Sequence, residues 1–135
     1  MFQDEEDRKP PDRQRILIID DDDVLRETLG EITTAAGYDV TALGEGKRFL
    51  ETVSRLRPHC IVMDLSIPDC DGIALLNGLA EEGCSVPIVV VSSHPPSFLD
   101  RVRQLAAARG LDIRAALQKP FSVDQFLGAI AGARS

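Results

Sequence analysis

The chain has 135 residues, a hydrophobic fraction of 44% and a formal net charge of −7. That length suits one domain with one core, and the apolar share excludes disorder of the whole chain. No block of basic residues stands free of acids, which argues against nucleic acid or an anionic membrane as a direct partner, and no apolar run reaches membrane-spanning length.

Residues 1–14 are polar and carry Pro10-Pro11. They are expected to form a flexible tail before a domain spanning 15–135. The N-terminus has no apolar stretch of signal-peptide type, so the expected location is cytoplasmic. Arg15 leads into Ile16-Leu17-Ile18-Ile19, apolar at every position, the pattern of a central strand covered on both faces. Leu25, Leu29, Ile32 and Ala36 then recur at helical spacing. Asp22 or Asp23 is placed to cap that helix, and Gly37 to stop it. Val40 to Leu43 gives a short lateral strand. Phe49, Leu50, Val53 and Leu56 mark a second helix ended by Pro58. Cys60 to Asp64 is a third strand, followed by a helix carrying Ile73, Leu76 and Leu79 and closed near Gly83.

Pro87-Ile88-Val89-Val90-Val91 is a β-branched fourth strand. Pro95-Pro96 is suited to opening a helix, whose apolar positions are Phe98, Val102 and Leu105 and whose stop is Gly110. Ile113 to Gln118 is the fifth strand. Val123, Phe126, Leu127 and Ile130 form an amphipathic stripe. Five β-α units without internal repeat predict an α/β fold: a flavodoxin-like, doubly wound parallel sheet, (βα)5, in the order 2-1-3-4-5.

Three cysteines, Cys60, Cys70 and Cys84, form no CxxC pair and suggest neither a disulfide framework nor a zinc site. Cys60 reads as a small core residue and Cys70 as a loop residue near the site. Gly44-Glu45-Gly46 lacks the third glycine of a dinucleotide fingerprint, which removes a nicotinamide enzyme.

In the predicted topology the carboxyl ends of strands 1, 3, 4 and 5 are neighbours, where such sheets place ligands. Strand 1 delivers Asp20 and Asp21, strand 3 Asp64, strand 4 Ser92 and strand 5 Lys119. Three crowded carboxylates repel one another, and a divalent cation removes the conflict. Hard oxygen donors suit Mg²⁺, with Mn²⁺ as an alternative. Asp64 is then the candidate nucleophile for a phosphoryl group. The Lys119 ammonium neutralises phosphoryl oxygens, and the Ser92 hydroxyl hydrogen-bonds one after transfer. Asp22, Asp23 and Asp71 read as turn or cap residues, His94 as a loop residue beside the site, and His59 as structural or solvated.

The residues Ile16-Leu17-Ile18-Ile19-Asp20-Asp21-Asp22, Ile61-Val62-Met63-Asp64-Leu65-Ser66-Ile67-Pro68-Asp69-Cys70-Asp71-Gly72, Pro87-Ile88-Val89-Val90-Val91-Ser92 and Lys119-Pro120-Phe121 together resemble a response-regulator receiver domain of two-component signalling. The resemblance implies that Asp64 accepts phosphate from a histidine kinase or histidine phosphotransfer protein. It implies that Mg²⁺ is held by Asp20, Asp21, Asp64 and the backbone carbonyl of Ser66, and that Lys119-Pro120 is a cis bond. It also implies that the chain is not an enzyme but at most a self-phosphorylating and self-dephosphorylating receiver. By the same analogy, a homodimer or effector would dock through the face of helix 4, strand 5 and helix 5, with Arg101, Arg103, Arg114 and Phe126 as candidate positions.

Two departures stand out. Ser92 replaces the family's usual threonine, and Ala116 stands where the family often has a switching aromatic. The stretch from Ser92 to Lys119 is also longer than typical, resembling receivers joined to cyclic-di-GMP phosphodiesterase domains. The sequence leaves open whether the receiver stands alone or belongs to a longer regulator. Two other function classes fit the sequence less well. A haloacid-dehalogenase-type phosphohydrolase needs a second acid where Ser66 stands. A degenerate receiver serving only as a binding module is opposed by the intact Asp20, Asp21, Asp64, Ser92 and Lys119 set.

Overall fold

The computed structural model describes residues 13–66 and 72–134. The expected tail lies outside the described residues up to residue 12, and so do the loop positions Cys70 and Asp71. Five strands, β1 (Arg15–Ile19), β2 (Asp39–Leu43), β3 (Cys60–Asp64), β4 (Ile88–Ser92) and β5 (Ile113–Gln118), alternate with five helices, α1 (Asp23–Ala35), α2 (Phe49–Leu56), α3 (Gly72–Glu81), α4 (Pro96–Ala108) and α5 (Val123–Arg134). All strand pairs are parallel and the order is β2-β1-β3-β4-β5. This is the flavodoxin-like arrangement predicted from the alternation of elements. No helix among the described residues is long and apolar enough to cross a membrane.

The reason β1, β3 and β4 are apolar at every position is visible in the two cores. Leu17, Ile19, Ile61, Met63, Ile88 and Val90 point to one face and meet α2, α3 and α4. Ile16, Ile18, Cys60, Val62, Val89 and Val91 point to the other and meet α1 and α5. Successive side chains of a strand alternate between faces, so a strand covered on both sides has no polar register. Each large apolar side chain fully buried here contributes about 1.5–3 kcal/mol. The edge strands β2 and β5 are only partly buried. A register shift between Ile88 and Val89 in the β4–β5 pairing leaves Arg114 without a β4 partner. Its guanidinium turns to Asp112 at 2.9 Å and to the Gly132 and Ala133 carbonyls at the end of α5.

Helix ends follow local chemistry. Asp22 caps α1 by accepting from the Leu25 N–H at 3.1 Å. Ser122 and Gln125 form a reciprocal capping box before α5, at 2.8 and 3.0 Å. The last carbonyls of α2, Leu56 and Arg57, accept from the Arg15 guanidinium. His59 is structural, since its Nδ1 accepts from the Arg15 N–H at 3.0 Å.

Two expectations are corrected. Phe126 is 0% exposed and sits in the core beneath α5, so it is no docking residue; the α5 stripe that faces the sheet is Phe126, Ile130 and Ala133. On α4 the buried face is Leu99, Val102 and Ala106, while Phe98 and Leu105 lie at 36% and 58% exposure. The i, i+4, i+7 series Phe98, Val102, Leu105 and the i, i+3, i+7 series Leu99, Val102, Ala106 are both helical stripes and share Val102. The sheet decides which one is covered.

Candidate functional site

The parallel register brings the predicted groups to one edge of the sheet. Asp64 is the last residue of β3 and pairs with Val91 of β4. Ser92 is one step further along β4. Ser92 in turn pairs with Gln118, and its carbonyl accepts from the Lys119 N–H at 2.8 Å. Asp20 follows β1 directly, and its N–H donates to the Leu43 carbonyl of β2 at 3.1 Å. The Lys119-Pro120 bond is cis, as expected.

The Lys119 ammonium lies 3.2 Å from Asp20 Oδ2 and 3.2 Å from Asp64 Oδ2. Both carboxylates are buried, at 0% and 1% exposure. Their other oxygens are also held. Asp20 Oδ1 accepts from the Asp22 N–H at 2.9 Å, and Asp64 Oδ1 accepts from the Ser66 N–H at 3.0 Å. Asp21 completes the group as its exposed member. Ligand oxygens of Asp20, Asp21 and Asp64 all lie within 4.8 Å of one another. Three carboxylates at that separation, with one face open through Asp21, fit a small hard dication.

The electrostatics carry the same mark. Desolvation raises the Asp21 carboxyl pKa above its ordinary value. A hydrogen bond to Asp64 and the Asp64 charge push it the same way, against its own backbone N–H and Lys119. At Lys119 burial works against the charge, yet Asp64 and Asp20 outweigh it and the pKa is raised. Lys119 is therefore a permanent ammonium at neutral pH, fixed between two carboxylates.

Ser92 is fully buried, and its Oγ accepts from the His94 N–H at 3.0 Å, which leaves the hydroxyl proton free to donate. The His94 ring lies 4.4 Å from Phe98 at the start of α4. Ala116 is half-buried and meets the core shared by α2, α3 and α4. Gly72 opens α3 directly against the loop after the acidic residue. A Cβ there would lie 2.6 Å from the Leu65 carbonyl oxygen and 2.7 Å from its Cα. Only a residue without a side chain fits that approach.

One neighbour of the site has no signal in the strand-end pattern. Arg26, on the second turn of α1, donates to the Asp20 carbonyl at 3.0 Å and pairs with Asp23 at 2.7 Å. Its trace in the sequence is an ordinary i, i+3 acid–base pair, the commonest feature of an exposed helix face.

Fold and site together define an α/β domain that gathers an acidic cluster, a hydroxyl and a lysine at the carboxyl ends of its strands. The chain belongs to the response regulator receiver domain family of two-component signalling, whose model matches residues 16–131. It is 36% identical over 116 residues to the response regulator MprA of Mycobacterium leprae, a match covering 86% of this chain and 49% of that protein. The chain thus spans about half the length of the relatives it matches. Among solved structures it resembles the receiver domain of the Francisella response regulator 1452, with a TM-score of 0.76, 24% identity and coverage of 90% and 98% of the two chains. It also resembles the chemotaxis response regulator CheY4 of Vibrio cholerae, with a TM-score of 0.76, 20% identity and coverage of 88% and 97%. At these identities the structural likeness speaks for the fold.

Proposed function

We propose that the domain is a phosphoacceptor switch in which Asp64 receives a phosphoryl group from the phosphohistidine of a histidine kinase or histidine phosphotransfer protein. The observation that supports this reading most is the placement of Lys119 at 3.2 Å from both Asp20 and Asp64, beside the three-carboxylate cluster. The nucleophile is an Asp64 carboxylate oxygen. As its bond to phosphorus forms, the donor's N–P bond breaks, and the imidazole nitrogen keeps the electron pair and regains a proton. Mg²⁺, held by Asp20, Asp21, Asp64 and the Ser66 carbonyl, would supply positive charge to the phosphoryl oxygens. Lys119 supplies a second positive charge, and its fixed position means no reorganisation at the moment of transfer. Ser92 donates its hydroxyl proton to a phosphoryl oxygen of the product. The His94 N–H bond to Ser92 then links that event to the start of α4. Hydrolysis of the acyl phosphate returns Asp64 to its starting state, so the domain is modified and reset rather than turning over a substrate.

The domain acts in the cytoplasm, within residues 15–135, either alone or as the receiver part of a longer regulator. Its output face is the surface of α4, β5 and α5, with Arg101 and Arg103 exposed there. The test is intact mass after incubation with acetyl phosphate, with and without Mg²⁺, alongside Asp64→Asn. Gain of one phosphoryl mass only by wild type with Mg²⁺ is expected. A protein that gains no phosphoryl from acetyl phosphate or from a phosphorylated histidine phosphotransfer protein would return the reading to a phosphorylation-independent binding module.

A further inference from the structure

Of the three clustered carboxylates, two are clamped and one is not buried. Asp20 and Asp64 are each held through both oxygens, by Lys119 and by a backbone N–H. Asp21 is exposed, and apart from its contact with the Asp64 carboxylate its position is set by the backbone that carries it. Arg26 grips that backbone from both sides. Its own N–H donates to the Asp22 carbonyl at 2.8 Å, as the first bond of α1. Its guanidinium Nη1 donates to the Asp20 carbonyl at 3.0 Å. The carbonyls of the two residues flanking Asp21 are therefore held by one residue, Asp22 through its main chain and Asp20 through its side chain.

The guanidinium is itself fixed. Nη2 pairs with Asp23 at 2.7 Å, and the Arg26 side chain is only 21% exposed against 81% for Asp23. It lies across Gly44, at the end of β2, where a Cβ would come within 2.6 Å of Nη1. The absence of a side chain at residue 44 leaves the space that the guanidinium occupies. Asp23 offsets its charge, so the contact is made without a net positive charge beside the cluster.

We propose that Arg26, seated on Gly44 and neutralised by Asp23, is a positioning residue that holds Asp21 ready to ligate the divalent cation. The inference rests on the metal-site reading above. Partners that orient ligands typically alter metal affinity about 10-fold or more when removed. The sign of the effect separates positioning from charge. If Arg26 acted only as a nearby cation, its removal would strengthen cation binding by relieving repulsion. If it positions Asp21, its removal weakens binding.

The experiment is titration of Mn²⁺, read as the free-ion signal in electron paramagnetic resonance, on wild type, Arg26→Ala, Arg26→Lys and Gly44→Ala. Urea unfolding of each variant in the absence of metal reports stability separately. The expected result is about 10-fold weaker Mn²⁺ binding by Arg26→Ala. Arg26→Lys, which keeps one donor, falls between it and wild type. Gly44→Ala keeps the arginine but displaces its guanidinium, and also weakens binding. Equal or tighter binding by Arg26→Ala, or wild-type affinity in Gly44→Ala, would overturn the inference while leaving the metal site intact. A wild-type protein that binds no Mn²⁺ would overturn the metal site and this inference together.

Discussion

Replacing Lys119 with Met should cost stability before it costs chemistry. Its ammonium is the shared partner of Asp20 and Asp64, which are 0% and 1% exposed. Methionine conserves the bulk of the stem but leaves two buried carboxylates facing each other. Breaking a fully buried ion pair costs about 3–5 kcal/mol. The Lys119 side chain is 20% exposed, and the open side of the cluster admits water, so the lower end applies. We expect a loss of about 2–3 kcal/mol, from the same range discounted for exposure. With a urea slope of roughly 1–3 kcal/mol/M, the midpoint should fall by about 0.7–3 M with no change in slope. The pH dependence follows from the raised Lys119 pKa. Stabilisation by a group whose pKa is raised on folding is complete below the unfolded value and is lost as pH rises through the folded one. The gap between wild type and Lys119→Met should therefore be constant across neutral pH and close only above the ordinary lysine value of 10.5. Saturating Mg²⁺ should narrow the gap, because a dication neutralises the same carboxylates. A variant as stable as wild type in metal-free buffer would refute the account of the buried cluster.

Other perturbations test other parts of the structure. Gly72→Ala would place a methyl 2.6 Å from the Leu65 carbonyl, so Leu65 and Ser66 must shift. A loss of about 1–3 kcal/mol by urea unfolding is expected, with weaker Mn²⁺ binding, since Ser66 anchors Asp64 Oδ1. Phe126→Ala should cost about 3–5 kcal/mol, as deletion of a fully buried ring leaves a cavity; a surface-like change below about 0.5 kcal/mol would contradict its placement. Burial pushes the Cys60 thiol up to about 12. Peptide mapping after iodoacetamide treatment of the native protein at pH 8 should find Cys60 unlabelled, and labelling there at the rate of a free thiol would contradict its burial.

Much of this molecule is legible in its sequence because the central strands leave no choice. Ile16–Ile19, Cys60–Met63 and Ile88–Val91 are apolar at every step and rich in β-branched residues, which suits strands of a sheet covered on both faces. Each run ends in a polar residue, so once the order is fixed the site follows from register: Asp20, Asp64 and Ser92 meet at the carboxyl ends of the strands, joined by Lys119 after β5. Helices are less explicit. A helix offers several apolar stripes, and on α4 the covered one passes through Leu99 and Ala106 rather than Phe98 and Leu105. Phe126 was assigned to a docking face by family analogy, although its own stripe with Ile130 turns it toward the sheet. Arg26 and Gly44 were silent for a different reason. Their relation spans two elements, and neither residue is unusual where it stands.

The central claim is that Asp64, and no other carboxylate of the cluster, carries the phosphoryl group. The direct measurement is borohydride reduction of the phosphorylated protein, which converts an aspartyl phosphate into homoserine, followed by peptide sequencing by mass spectrometry. Homoserine at position 64, absent from protein incubated without phosphodonor, is the predicted result. Homoserine at position 20 or 21 with none at 64, or a stable phosphoryl group that resists reduction, would contradict the account.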